Sequence, residues 1–248
     1  MVALFDDSFL SGQIAMRGGT LLHKAHLAPA SRYSEDIDLV VVGTRPENHI
    51  SRGIRRVLKE VWGKPKASAW GSLKLALRNA AQPSRILRLT YSLPSIIEPG
   101  RMLELVVETN VTERRSHRAI VDIPFRFPFR DESMQTIIKG YDIHEMLGTK
   151  LRALFQRERG RDLFDLYWAL TQSAHPVDPT LVIESFQYYM KKEGTKAGRA
   201  EFIGILDARL NHRGFCSDMK SLLRRGITYD PQLAGSYIKA NLLNLLPI

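Results

Sequence analysis

The sequence predicts an α+β fold, with a mixed first half in which helices alternate with strands and a helical second half. Three observations carry that prediction. The branched run "DIDLVVV" at 36–42, closed by Gly43, reads as a strand. Three alternating stretches between residues 72 and 111, parted by proline-containing turns, read as further strands. From Asp142 onward the apolar residues recur at the helical period.

Taken in order, "QIAMRGG" (13–19) is a short strand ending in a turn, and "TLLHKAHL" (20–27) is the helix that follows. After the 36–42 strand, Thr44 and Glu47 form a capping box, with Pro46 in the first turn. That helix places Ile50, Ile54, Val57, Leu58 and Val61 on one face and Arg52, Arg55, Arg56 and Lys59 on the other, stopping at Gly63. Strands follow at 72–79, 84–92 and 101–111. "IVDIPFRFPF" (120–129) carries Pro124 and Pro128, so it is an edge strand or an extended connection. Asp142 caps a helix whose apolar face is Ile143, Met146, Leu147, Leu151, Leu154 and Phe155, and "GRDLFDLYWALTQ" (160–172) makes a second. Asp178-Pro179 and Asp230-Pro231 each read as an N-cap with proline at the first helical position, opening helices to about 192 and 245. The expected division is a mixed domain over 1–135 and a helical one over 136–248.

At 248 residues the chain can bury a sizeable core. No apolar run is long enough to span a membrane, and the acidic "MVALFDDSFL" start is unlike a signal peptide. A single cysteine, Cys216, excludes an intramolecular disulfide and a CxxC zinc site, which points to a cytoplasmic protein. The net charge of +10 is concentrated: residues 51–97 hold ten basic side chains and one acid, Glu60. Such a block favours a polyanion through counterion release and steering, without choosing among RNA, DNA and an acidic protein. Arg52, Arg55, Arg56, Lys59, Lys74 and Arg78 are the candidate nucleic-acid contacts.

The chemistry concentrates in "RGGTLLHKAHLAPASRYSEDIDLV" (17–40). Asp36 and Asp38 flank Ile37 on a strand, so both carboxylates leave one face. Two hard anionic ligands side by side suit Mg²⁺, which fills its other positions with phosphate oxygens and water. Gly18 and Gly19 let the backbone approach a phosphate at a strand-to-helix junction, and Thr20 can add a hydroxyl donor.

These residues resemble the G-G/S–T…R-x-S-x-D-I-D-L signature of the AbiEii/AbiGii nucleotidyltransferase toxins, a branch of the DNA polymerase β-like superfamily that includes MenT-like toxins. "VVETNV" (106–111) is similar to the family's v-E-i-N strand, and "KLRALFQRERGRDLFDLYWAL" (150–170) to its K-l-x-A-L-x-x-R…R-D-x-x-D-L block. The resemblance implies a nucleotidyltransferase-type mixed sheet with flanking helices, then a helical C-terminal domain that contributes to the active site. It also implies a magnesium-dependent transfer, two ions being usual, from an NTP to an acceptor. The enzyme would be the toxin of a type IV, AbiE-like system with an antitoxin encoded nearby. Only seventeen residues precede Gly18, fewer than the resemblance leads one to expect.

By the same resemblance Gly18, Gly19 and Thr20 hold the triphosphate, Asp36 and Asp38 bind metal, and Glu108 is the third carboxylate, with Glu104 its rival. Lys150 contacts phosphate. Asp165 is the active-site acid of its block, with Asp162 beside it on the same helix face, where Arg157 and Arg161 could make a plain ion-pair network. Arg32 meets a phosphate and Ser34 braces the strand entry. A tRNA 3′ end is the leading acceptor. Transfer to a protein or small molecule, or RNA binding without turnover, are the alternatives. Elsewhere, His23 and His26 lack zinc company, Cys216 with His212 makes no convincing nucleophile–base pair, and Phe186, Tyr188 and Tyr189 read as helix packing. Trp70 and Tyr91 are better placed to stack on RNA.

Overall fold

The computed structural model describes residues 1–34, 36–62, 76–81, 86–95, 98–111, 113–129 and 132–247. Where the sequence suggests two contiguous ranges, the contacts group the chain into interleaved units. One comprises Met1–Leu21, Glu35–Ser116 and Ile120–Tyr141; the other Leu22–Ser34, His117–Ala119 and Asp142–Ile248.

The first unit is built on a seven-stranded mixed sheet. Its strands are β1 (Ile14–Arg17), β2 (Asp36–Val41), β3 (Ala76–Ala81), β4 (Ile86–Pro94), β5 (Met102–Asn110), β6 (Val121–Phe129) and β7 (Glu132–Gly140), in the order β3-β4-β5-β2-β1-β7-β6. β2 runs parallel to β5 and antiparallel to β1, while β4 runs antiparallel to β5. β6 closes one edge, where its prolines remove no ladder hydrogen bond from a second neighbour.

β7 is the strand that the sequence reading misses. Ser133 to Gln135 face solvent, Met134 and Ile137 are apolar yet exposed, and of the buried Ile138 and Gly140 one has no side chain, so the sequence shows no apolar alternation. Two short helices flank the sheet's first strand: α1 (Val2–Asp6) and α2 (Gly18–Leu21). The long helix α3 (Glu47–Trp62) buries Ile50, Ile54, Val57 and Leu58 as expected, whereas Val61 is 42% exposed. The capping box falls early. Residues 43–45 form a bend, and the Pro46 carbonyl accepts the first helical bonds from His49 and Ile50. Leu39, Val41, Leu87, Leu89 and Val107 complete the sheet side of this core.

The second unit is helical: α4 (Ile143–Gln156), α5 (Gly160–Gln172), α6 (Pro179–Lys192), α7 (Arg199–Leu210), α8 (Arg213–Ser217) and α9 (Pro231–Asn241). The three expected aspartate caps are made. Asp142, Asp178 and Asp230 accept from the backbone N–H groups of His144, Thr180 and Gln232. The segment predicted as a helix over 20–27 is α2 followed by a π-turn, Leu22–His26, and it contributes its latter part to this unit. Phe186 and Tyr189 are buried packing residues, while Tyr188 stacks on His117 with centroids 4.4 Å apart. Glu145, fully buried, accepts from the backbone N–H groups of His117 and Arg118 and from the Tyr189 hydroxyl. No helix among the described residues is long and apolar enough to cross a membrane.

Candidate active site

In the first unit the strand register assembles what the chain separates. Arg17 of β1 lies opposite Asp38, Asp38 lies opposite Glu108 of β5, and Glu108 lies opposite Arg88 of β4. Directly opposed residues share a face of a sheet, so these four side chains form one transverse row, Arg-Asp-Glu-Arg, with Asp36 one step along. Glu108 is thereby the neighbour of Asp38. Glu104 is four residues further along β5, about 13 Å away at the rise of a strand.

Gly18 closes the row from the side. Its φ is +80°, and a Cβ there would lie 1.8 Å from Asp38 Oδ2, so a side chain is excluded by both backbone and space. The turn's backbone therefore rests directly against the Asp38 carboxylate. Thr20 is buried, and its hydroxyl donates to the Asp36 carbonyl oxygen. A hydroxyl has one proton, so the donor expected for a phosphate is engaged in tying the turn to β2, and what Thr20 can still offer is backbone.

The two carboxylates at the row's centre are each shadowed by an arginine. Arg88 pairs with Glu108. Arg17 pairs with Glu113 at 2.9 Å, and Glu113 is itself held by Asn110 of "VETN". Desolvation opposes the charge on Arg17, but Glu113, together with Asp38, overrides it and raises the pKa. Among the described residues no three His, Cys, Asp or Glu side chains converge into a ready-made metal cluster. The donor set nevertheless fits a hard divalent cation. Asp36 is exposed and Asp38 part-exposed on one face, Glu108 is 25% exposed beside them, and all are oxygen donors.

The second unit holds a different arrangement of charge. Asp165 is wholly buried; Arg32 grips it bidentately at 2.6 and 2.8 Å, Lys150 Nζ lies 2.8 Å away, and His23 Nε2 lies 2.7 Å away. Asp162, also wholly buried, takes Lys150 at 3.2 Å and two bonds from Arg157 at 2.8 and 2.9 Å. Burial by itself would raise the Asp165 pKa. The Lys150 and Arg32 charges and the His23 bond override it and hold the carboxyl well below the ordinary range. Lys150 is raised for the converse reason, its burial outweighed by Asp165 and Asp162. Burial lowers His23, which as a neutral ring donates Nε2–H to Asp165 and accepts from the Ser31 hydroxyl, 3.2 Å away, at Nδ1.

The sequence-predicted residues thus divide. Asp36, Asp38, Glu108, Gly18, Gly19 and Thr20 come together in the first unit, and Arg32, Lys150, Asp162 and Asp165 in the second. Arg32, expected to face a phosphate, is 4% exposed with its guanidinium spent on Asp165 and the Tyr33 carbonyl. Ser34 Oγ is buried without a hydrogen-bond partner among the described residues. Asp162 binds Arg157, whereas Arg161 turns to Asp218. On α3, Arg52, Arg55 and Lys59 stand exposed, while Arg56 is drawn to Asp7 and Glu60. Lys74 and Trp70 lie outside the described residues, and of Arg78 only the backbone in β3 is described. Tyr91 is 6% exposed and so is unavailable for stacking. Cys216 donates to the Leu210 carbonyl, and His212 pairs with Glu158, so these two make no nucleophile–base pair. Arg17, Glu113 and Arg88 were missed by sequence reasoning; the signal available was the arginine that opens "RGGT".

Comparison with known proteins follows the same lines. The family model for the AbiEii nucleotidyl transferase toxin of type IV toxin–antitoxin systems matches residues 1–234. Curated proteins yield no significant match. Among solved structures, MenT4, a nucleotidyltransferase toxin from Mycobacterium tuberculosis H37Rv, aligns with a TM-score of 0.55 at 13% identity. The alignment covers 99% of this chain and 81% of that one. At that identity the likeness speaks for the fold.

Proposed function

This chain is a member of the AbiEii family of nucleotidyl transferase toxins of type IV toxin–antitoxin systems, and on that premise we propose that it moves a nucleotide from an NTP to a nucleic-acid acceptor, a tRNA 3′ end foremost. The observation that carries this reading is the register Asp38–Glu108, which sets a third carboxylate beside the paired aspartates. Asp36 and Asp38 would hold magnesium, with two ions the expected number. A cation held there would supply positive charge against the phosphate in the transition state.

The protein's own groups supply the rest. Glycine at position 18 lets bare backbone stand where phosphate must approach. Glu108 is the base that takes the proton from the acceptor hydroxyl. That oxygen forms its bond to the α-phosphorus as the α–β bridging bond breaks, and pyrophosphate leaves. Such catalysis is mostly positioning and charge compensation. Lys150, its ammonium held by Asp165 and Asp162, belongs to the buried charge group of the helical unit, and Asp165, wholly enclosed, acts as a positioning residue that keeps Lys150 charged and Arg32 in place. The exposed Arg52, Arg55 and Lys59 on α3, with the +10 net charge, support a polyanionic acceptor and salt-sensitive binding. A cytoplasmic setting accords with the NTP substrate and the single cysteine, and the family implies an antitoxin partner.

The test is incubation with Mg²⁺, each α-³²P-labelled NTP in turn and total tRNA, beside the Asp36→Ala variant. Label on tRNA from the parent alone is the expected result. Label on protein would redirect the acceptor, and equal labelling by the variant would remove the proposed metal site.

A further inference from the structure

Between the glycine turn and Asp36 the chain presents an aromatic side chain to solvent that no part of the reaction described above uses. Tyr33 is 56% exposed, the most exposed tyrosine among the described large hydrophobic residues. Its mount is rigid. The Tyr33 N–H donates to the Leu222 carbonyl at 2.8 Å, Arg32 forms an antiparallel bridge with Leu223, and the Arg224 N–H donates to the Ser31 carbonyl at 3.0 Å. Arg32, which donates to the Tyr33 carbonyl, is itself fixed on Asp165. The Arg224 guanidinium carbon sits 5.7 Å from the Tyr33 ring centroid, over its face.

Here, among the described residues, neither Arg224 nor the exposed Lys24 forms an ion pair, and the two cations feel each other. Desolvation, and then the like charge of Arg224, hold the Lys24 ammonium below its ordinary pKa. A pre-set ring with a guanidinium over one face, and a second cation near enough for the two charges to interact, can bind an unstacked base through its π-face and the attached phosphate through charge. Because the mount is already ordered, little entropy remains to be lost on binding.

We propose that Tyr33, Arg224 and Lys24 form a nucleotide-stacking platform, with a base on the outward face of Tyr33 and its phosphate between the two cations. The ligand chemistry is a nucleotide, supplied either by the incoming NTP or by an unpaired nucleotide of the acceptor strand. The inference rests on the nucleotidyl-transfer reading for the identity of its ligand, but not on the carboxylate row.

The experiment measures equilibrium binding of a mant-labelled NTP and of a fluorescein-labelled single-stranded RNA decamer to the full chain and to Tyr33→Ala, Tyr33→Trp and Arg224→Gln. An RNA duplex of the same sequence serves as control. Tyr33→Ala is expected to weaken one of the two ligands about tenfold, as loss of a single stack does, while leaving the duplex and the melting temperature unchanged. Tyr33→Trp keeps the affinity, and its added fluorescence is quenched by the ligand. Loss on the NTP arm assigns the platform to the incoming nucleotide; loss on the decamer arm assigns it to the acceptor. If the parent transfers nucleotide yet Tyr33→Ala leaves both affinities unmoved, the platform alone is overturned. A parent that binds neither ligand overturns the transfer reading with it.

Discussion

Two pairs of aspartates are each spaced so that both members leave one face of their element, and they finish in opposite situations. Asp36 and Asp38, two apart on β2, meet solvent beside Glu108. Asp162 and Asp165, three apart on α5, lie at 0% exposure, and each is clasped by cations of its own unit. Within that buried group Asp162 and Asp165 are matched by Lys150 and Arg32, and His23 stays neutral. A carboxylate neutralised inside the fold has no need of a ligand, whereas a surface carboxylate pair keeps its appetite for a cation. Spacing alone does not separate these cases. Burial does, together with the close clasp of cations that burial demands.

Asp38→Asn is the strongest way to break the comparison on the open side. Transfer should fall about 10³-fold, while the melting temperature stays near the parent's, because lost repulsion with Glu108 offsets lost attraction to Arg17. On the closed side Asp165→Asn leaves Arg32 and Lys150 buried and short of one negative charge. Urea unfolding should show a loss of about 3–5 kcal/mol, and a variant as stable as the parent would refute the structural role. Gly18→Ala should destabilise by about 1–3 kcal/mol through its positive φ and should suppress transfer by displacing Asp38; unchanged kcat would argue that the close approach is incidental.

Acid should sharpen the contrast further. His23 has a folded pKa below its ordinary 6.5, so the unfolded chain binds the extra proton first, and stability begins to fall as pH drops through 6.5. Asp165, held well below 3.8, adds a second loss that begins only as pH falls through 3.8 toward its folded value. Unfolding followed from pH 8 to pH 3 should show the first loss vanish in His23→Gln. The smallest effect belongs to Arg88→Ala. Its pair with Glu108 is 57% and 25% exposed, so stability should change by less than about 1 kcal/mol, and a larger loss would mean that the row has a structural duty.

What could be read from the chain follows a physical divide. β2 and α5 were legible almost to the residue, because branched residues and the helical period run uninterrupted there, with Gly43 after the one and Gly160 opening the other. β7 was not, since exposed Ile137 stands out of phase with buried Ile138 and Gly140 hides the next inward position. Nor was α7, whose core contacts reduce to Phe202, Leu206 and Leu210 at single spacing. Asp36, Asp38 and the glycines announce themselves by local pattern. The place of Glu108 against Asp38 depends on a parallel register between strands seventy residues apart, which no local pattern encodes. The same holds for Arg32, whose partner Asp165 is 133 positions away.

The run from Gly18 to Asp38 begins in one unit, contributes residues 22–34 to the other, and returns at Glu35. A single crossover between residues 34 and 142 would therefore set the His23 and Arg32 of one parent against the α5 of the other. A transplanted helical half is expected to fold only when residues 22–34 travel with it.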